Sequence, residues 1–497
     1  MLKQIKRKLQ LYFYPKVKND FNEARFFRAP MAIRLALFLI VIFIVHKNIK
    51  FCLFFAVIPV ICISVLQILQ LIFRINGFED IIDQNIANFK DINSIDQAIE
   101  MMNLKKSELK SYAILLPLLR ENEVIIASLF DSMSKILYPK NLFDIFVLCE
   151  YEDQETINIV KEYIDKNLGN FRLIIVPPKS PLKTKGRALN YAMKFVKSHY
   201  VCIFDAEDQP DKIQLLYAHK MFIDSQRNPS RWSKKLGVVQ AVLENFNRRS
   251  YISELMHIEY RYIFRVRNFF MQKLCGWFPL GGTSNHFLTE AVRSVGGWNS
   301  YNLTEDADIS VKLNMSGWGI DVMPIITKEE AVENVDDFIG QRSRWMKGFL
   351  QLMMFSFCSV FCKKLIIVDR LKMMAIFFYF FSLQGVFAFI VFSVEICYYI
   401  FESFNLSGGF DIFSGSQNPS LLMDLTILNI LLKFLYYSLL VLMGKNDGKF
   451  LIKRSQIFML IISFWLIMVS YFKCIYEIIF KPYFWEKTNH FGDKINR

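Results

Sequence analysis

Val201-Cys202-Ile203-Phe204-Asp205-Ala206-Glu207-Asp208 carries a short apolar run straight into an acidic loop. A run of this kind, closed by a turn ahead of Pro210, predicts a buried strand with its carboxylates at the carboxyl end. Upstream, Tyr112 to Leu119 (YAILLPLL), Phe143 to Cys149 and Phe171 to Val176 predict three more strands by the same length and composition. Helical patterns lie between them, one running to Leu137 and another over Gly186 to Val196. Strands alternating with helices predict an α/β domain with a mostly parallel, Rossmann-like sheet. Ligand groups are expected at the carboxyl ends of such strands.

The residues at those ends suggest the chemistry. Asp205, Glu207 and Asp208 are hard oxygen ligands suited to Mg2+ or Mn2+, which often bridge a protein carboxylate to substrate phosphates. Taken alone, the same run is also an ordinary solvated acidic turn. Glu150, Glu152 and Asp153 follow the second strand at the same edge, where they could hold a nucleoside. Lys183, Lys185 and Arg187 precede Asn190 at a helix start, and there cations and free N–H groups together offset phosphate charge.

Further along, Leu280-Gly281-Gly282-Thr283-Ser284-Asn285-His286-Phe287 sets two glycines, which allow close backbone approach to a ligand, before polar side chains. A lone His is usually structural, so His286 is given no acid-base role. In Asn302-Leu303-Thr304-Glu305-Asp306-Ala307-Asp308, Thr304 is placed to cap a helix starting near Glu305. Last comes Gln341-Arg342-Ser343-Arg344-Trp345-Met346-Lys347-Gly348. On a helix Gln341, Arg344, Trp345 and Gly348 share one face. That face offers an amide, a guanidinium suited to a diphosphate and an indole platform for a sugar ring.

In this order the motifs resemble the processive-type family 2 glycosyltransferases, which include cellulose, chitin and hyaluronan synthases. The resemblance covers about residues 110 to 350. The runs DAED, LGGTSNHF, TEDAD and the tail Phe484-Trp485-Glu486-Lys487-Thr488 look like a bacterial subgroup of that family. It implies a GT-A catalytic domain combined with α-helical transmembrane segments. By the same resemblance Asp306 is the general base. Glu150, Lys185, Asn190 and Asp205 bind the donor nucleotide, and Asp208 is the metal ligand, with Asp205 and Glu207 as the other candidates. Gln341, Arg344, Trp345 and Glu305 bind acceptor or diphosphate. The family usually has DxD where this chain has Asp205-Ala206-Glu207-Asp208, and Asp where it has Glu150. The implied cofactor is Mg2+ or Mn2+, and a UDP-sugar is expected ahead of a GDP-sugar.

The rest of the chain frames this domain. At 497 residues, 53% apolar with 49 Phe, it is richer in apolar residues than a soluble enzyme, and the excess sits in blocks. Residues 31–73 hold two of them and 371–480 about three, each near the roughly 20 residues that cross a bilayer. A signal peptide is the rival reading of the first block, but no small-residue cleavage pattern precedes Phe51. The expected division is a basic segment 1–30, two spans over 31–73, a connector over 74–110, the catalytic domain over 111–348, an interfacial helix over 349–364, about three spans over 371–480 and a tail over 481–497. Lys3, Lys6, Arg7, Lys8, Lys16, Lys18, Arg25 and Arg28 favour a cytosolic start, and two crossings return the chain to the cytosol for its catalytic domain. Five crossings would place the tail outside.

The formal charge of +14 is explained by anionic lipids beside the spans, so no nucleic acid partner is expected. Nine Cys include no CxxC pair or zinc spacing, and are expected to be reduced. The expected activity is inverting transfer of a sugar from a nucleotide-diphospho-sugar to a growing β-linked glycan at the bacterial inner membrane, with the catalytic domain cytosolic. The alternatives are transfer of one sugar to a membrane lipid, and a non-catalytic transporter or receptor. A transporter should carry broken or polar helices at mid-membrane, whereas here the polar motifs lie in the central block.

Overall fold

The computed structural model describes residues 78–166, 170–178, 184–229, 234–362 and 454–482, together with 65, 68, 428, 431, 432 and 484. Among them, residues 78–338 form one compact unit, and those from Ile339 to Phe484 belong to a second.

The first unit is built on eight strands: β1 (Tyr112–Leu118), β2 (Phe143–Glu150), β3 (Phe171–Val176), β4 (Tyr200–Ile203), β5 (Gln209–Pro210), β6 (Lys235–Asn245), β7 (Asn285–Leu288) and β8 (Trp318–Glu329). They form one sheet in the order β3-β2-β1-β4-β7-β6-β8-β5. The half from β3 to β4 is parallel, as the alternating pattern predicts. The sheet as a whole is mixed, because β7 runs antiparallel to both β4 and β6, and β5 antiparallel to β8. Four of its seven strand pairs, β6 with β8 among them, are nevertheless parallel, in keeping with the mostly parallel expectation. The reversal at β7 has a consequence for the site: the loop entering β7 lies at the same sheet edge as the residues leaving β4.

The strand limits follow from burial and pairing. β1 is almost wholly buried and pairs with both β2 and β4. Its Pro117, which has no N–H for a ladder, lies beyond the last β1–β4 pair at Leu115 and Ile203, so one side asks nothing of it. Tyr112 of β1 and His286 of β7 share a buried 3.1 Å hydrogen bond.

The segment expected as a connector forms two helices, Phe78–Phe89 and Ile95–Met101. It is part of the first unit, since Asn85 donates to the Pro324 carbonyl at 2.9 Å and Asp83 pairs with the buried Arg265. Arg265 lies in a π-helical stretch, Arg261–Arg267, within a helical run from Tyr251 to Cys275.

The second unit holds two long helices. Val335–Cys362 begins in the first unit and continues through Gly348 without a break, so the expected interfacial helix is its continuation. Met346 on this helix packs against Met468, Tyr471 and Cys474 of the helix Arg454–Phe480.

Among the described residues no helix is long and apolar enough to cross a membrane. Of the roughly three spans expected over 371–480, the last block forms the helix Arg454–Phe480, while the rest of that stretch up to 453, the spans expected within 31–73, the basic segment 1–30 and the tail beyond 484 lie outside the described residues, apart from the isolated positions named above. Cys149, Cys202, Cys275 and Cys474 are free thiols.

Candidate active site

Four elements bring their ends to one place. Asp205 follows β4, Lys185 opens the helix Lys185–Ala192, Asp306 sits in the first turn of the helix Glu305–Met315, and Gly282 lies on the loop entering β7. A Cβ on Gly282 would stand 3.8 Å from Asp205 Oδ2, from Asp306 Oδ2 and from Lys185 Nζ alike. Three charged groups from separate stretches of sequence thus face one small opening, which a side chain would partly fill.

Lys185 is the cation among these carboxylates. It pairs with Asp205 and donates to the Gly282 carbonyl at 2.8 Å. Burial alone would lower its pKa, but Asp205, Glu305 and Asp306 hold it above the ordinary lysine value.

The approach of Lys185 to Asp306 is built by its neighbours. A Cβ on Gly186 would meet the Asn299 carbonyl at 3.1 Å and Glu305 Cβ at 3.3 Å, so glycine lets the helix lie against the 299–305 segment. Asn190 holds that segment from both sides, donating to the Trp298 carbonyl at 2.7 Å and accepting from the Trp298 N–H at 3.0 Å. Its amide is therefore engaged by the protein. Thr184 caps the helix, accepting from the Arg187 N–H at 3.4 Å. Lys183 lies outside the described residues.

The acidic loop divides its labour. Asp205 faces the opening. Asp208 is buried, and its Oδ2 accepts from the Asp205 N–H at 2.6 Å and from the Thr283 hydroxyl, so it shapes the loop. Its Oδ1 is buried without a hydrogen-bond partner. Burial, with Asp205, Glu207 and Glu329 nearby, pushes the Asp208 carboxyl well above the usual range. Glu329, at the end of β8, is pushed up to about 8 by burial and by Glu207 and Asp205, while Tyr260 bonds to it at 3.3 Å. Sequence reasoning missed Glu329. The signal was present, since it closes the run Met323-Pro324-Ile325-Ile326-Thr327-Lys328-Glu329 much as Asp205 closes β4.

Among the described residues no three His, Cys, Asp or Glu side chains are arranged to hold a metal ion by themselves. A cation that takes one or two carboxylates and completes its shell with phosphate and water still fits this set. The orphaned Asp208 Oδ1 and the excess of carboxylates over the single Lys185 are the observations in its favour.

Glu305 and Asp306 differ in setting. Burial and the neighbouring Asp306 push Glu305 up to about 8. Asp306 is pushed up to about 6 by burial, tempered by the Ala307 N–H at the helix start and by Lys185. The cap differs from expectation: the Thr304 side chain makes no capping bond and its hydroxyl donates to Asn302 Oδ1 at 3.2 Å.

Gln240 of β6 braces the glycine loop, donating to the Gly281 and Thr283 carbonyls at 3.2 and 3.1 Å. Ser284 then takes a left-handed conformation at φ 55°, held by its N–H bond to the Ile203 carbonyl at 2.9 Å. His286 lies between Tyr112 and Gln214, and burial lowers its pKa to about 3, so it is a neutral core residue.

Glu150 is also enclosed. It accepts from Arg187 at 2.8 Å in a pair whose side chains are 7% and 10% exposed. Gln341, Arg344 and Trp345 belong to the second unit, on the helix Val335–Cys362, with Gln341 buried and the other two half-buried. The Arg342 guanidinium lies 4.5 Å over the Trp345 ring.

The chain is similar to "Probable glycosyltransferase YdaM" of Bacillus subtilis, 24% identical over 334 residues, which span 65% of this chain and 74% of that protein. It is similar as well to a beta-monoglucosyldiacylglycerol synthase of Trichormus variabilis, 25% identical over 245 residues, 47% of each, so it spans about half the length of that relative. Among solved structures, the mannosyltransferase PcManGT from Pyrobaculum calidifontis, in complex with GDP-Man and Mn2+, aligns at 15% identity with a TM-score of 0.45, over 71% of this chain and 98% of that one. The profile of the family described as Glycosyl transferase family group 2 matches residues 200–472, more than half of the chain, from β4 through Asp306 and Trp345. A mixed GT-A-like sheet with an acidic strand end, read with that match, makes this chain a member of glycosyl transferase family group 2.

Proposed function

We propose that the protein is an inverting hexosyltransferase that moves a sugar from a nucleoside-diphosphate donor to the hydroxyl end of a growing β-linked glycan. The convergence of Asp205, Asp306 and Lys185 on the open face of Gly282 carries this reading. Asp306, with a carboxyl poised near 6, takes the proton of the acceptor hydroxyl as that oxygen attacks the anomeric carbon. The bond to the diphosphate breaks on the opposite face through an oxocarbenium-like state, so the configuration inverts. Lys185 stays charged among its carboxylates and offsets the negative charge growing on the leaving group. Gln341, Arg344 and Trp345 supply an amide, a guanidinium and an indole for diphosphate and acceptor sugar, with Glu305 beside the base. Glu150 and Asn190 support the donor pocket through Arg187 and the 298–300 segment. Asp205, with Asp208 or Glu207, would hold Mg2+ or Mn2+, which when bound supplies positive charge at the diphosphate.

The apolar blocks and their basic flanks support a membrane-embedded enzyme with its catalytic unit in the cytosol and anionic lipids around it. A UDP-sugar remains the first donor to test. Membranes containing the protein are supplied with each common nucleotide sugar in turn and the labelled product is sized. High-molecular-weight, glycanase-sensitive material supports the polymer reading. The relative named as a glycolipid synthase favours a second reading, transfer of one sugar to a lipid, and product confined to the lipid extract would establish it in place of the first.

A further inference from the structure

Lys347 is fully buried on the helix Val335–Cys362, two residues after Trp345 and three after Arg344. Its ammonium pairs with Glu477 at 2.6 Å and donates to the Phe484 carbonyl at 2.7 Å, with the Phe484 ring 5.9 Å away. One turn later Gln351, also fully buried, donates to the Pro482 carbonyl at 2.9 Å. The helix that carries Arg344 and Trp345 is thus gripped at successive levels by the helix Arg454–Phe480 and the residues just past its end.

Stability is a poor explanation for a lysine here. Taking an ammonium and a carboxylate out of water is costly, and apolar side chains of similar volume commonly serve as well or better. What an enclosed ion pair supplies is register, because the two charges are satisfied at only one mutual height and rotation. On a helix a residue three positions on is a neighbour on the same side, so fixing Lys347 fixes Arg344.

We propose that Lys347 and Gln351 are positioning residues: by clasping Glu477, Pro482 and Phe484 they set the height and rotation of Arg344 and Trp345 against the acceptor sugar. This rests on the reading of that helix as the acceptor and diphosphate face. A slip of one helical turn moves a side chain by about 5.4 Å, and a misplacement of 1 Å can cost on the order of a hundredfold in rate.

The test uses the full chain in membranes. Lys347→Met with Glu477→Gln removes both charges together and so leaves no buried ion unpaired, while Gln351→Leu releases the second grip separately. Each should raise the acceptor KM on the order of tenfold or more and leave the donor KM unchanged, and Lys347→Arg, which keeps the ion pair, should restore the parent acceptor KM. An acceptor KM that stays at the parent value in both variants overturns the proposal. So does a fall in kcat with both KM values unmoved, the mark of less folded enzyme. Arg344→Ala and Trp345→Ala, run alongside, separate the two levels. If these leave acceptor use untouched, the reading of the helix fails and the clasp with it. If they raise the acceptor KM while the clasp variants do not, the clasp alone fails.

Discussion

Asp205 Oδ2 and Asp306 Oδ2 stand at the same distance, 3.8 Å, from the point a side chain at residue 282 would occupy. One carboxylate arrives from a strand end and the other from a helix start, and glycine keeps the space between them open. Ordinary contact distances mean that Gly282→Ala should fold normally. Its kcat/KM should fall between about tenfold and a hundredfold, as reacting groups are displaced, with the thermal midpoint unchanged. Steady-state kinetics beside a melting curve checks both halves.

Asp306→Asn keeps the shape of the helix start but cannot accept a proton. The chemical step should slow by about 10²- to 10⁴-fold while donor affinity stays within a few-fold of the parent. Single-turnover transfer and donor titration separate the two, and full activity in this variant would remove Asp306 from the base position.

The pH profile carries a sign that can be worked out. The base acts when ionised, and Asp306 is pushed up to about 6, so kcat/KM should climb with pH through that region and level off above it. Lys185 favours the ionised form of Asp306. Lys185→Met should therefore move the acidic limb to higher pH, besides lowering the rate. A limb that stays in place would separate the two residues electrostatically.

Chelation tests the acidic loop. Removing divalent cations should abolish transfer, and Mn2+ or Mg2+ should restore it; Asp205→Asn should weaken metal activation more than acceptor use, read as the cation concentration for half-maximal rate.

The pair Glu150 and Arg187 is tested by stability. Because both side chains are enclosed, Glu150→Ala strands a buried guanidinium and should destabilise the catalytic unit by about 3 kcal/mol. Glu150→Gln with Arg187→Met should cost less than that. Urea denaturation followed by tryptophan fluorescence gives the comparison.

The parallel half of the sheet was legible because β1, β2, β3 and β4 are short apolar runs ended by polar turns, and the acidic end of β4 announced itself. β6 and β7 were not. Gln240 interrupts one, and Asn285 and His286 open the other as buried polar residues whose partners, Gln214 and Tyr112 for His286, come from distant parts of the chain. Periodicity cannot register a polar residue that is satisfied from afar. The same holds at the site. Lys185, Asp205 and Asp306 could each be singled out by residue type and local pattern, but their common opening depends on Gly186 lying against Asn299 and on Asn190 holding Trp298, contacts that no spacing encodes. Asn190 shows the reverse case, a polar residue in the second half of the helix Lys185–Ala192 whose amide serves the protein's own backbone.

The grip of Lys347 and Gln351 on residues 477 to 484 also closes a round trip. The polypeptide departs at Gln351 and is back beside it at Pro482. A path that begins and finishes in one place pierces a flat barrier an even number of times, whatever its route. In the membrane arrangement proposed above, Phe484 then shares a compartment with Arg344 and Trp345, the opposite of the tail position that five crossings imply.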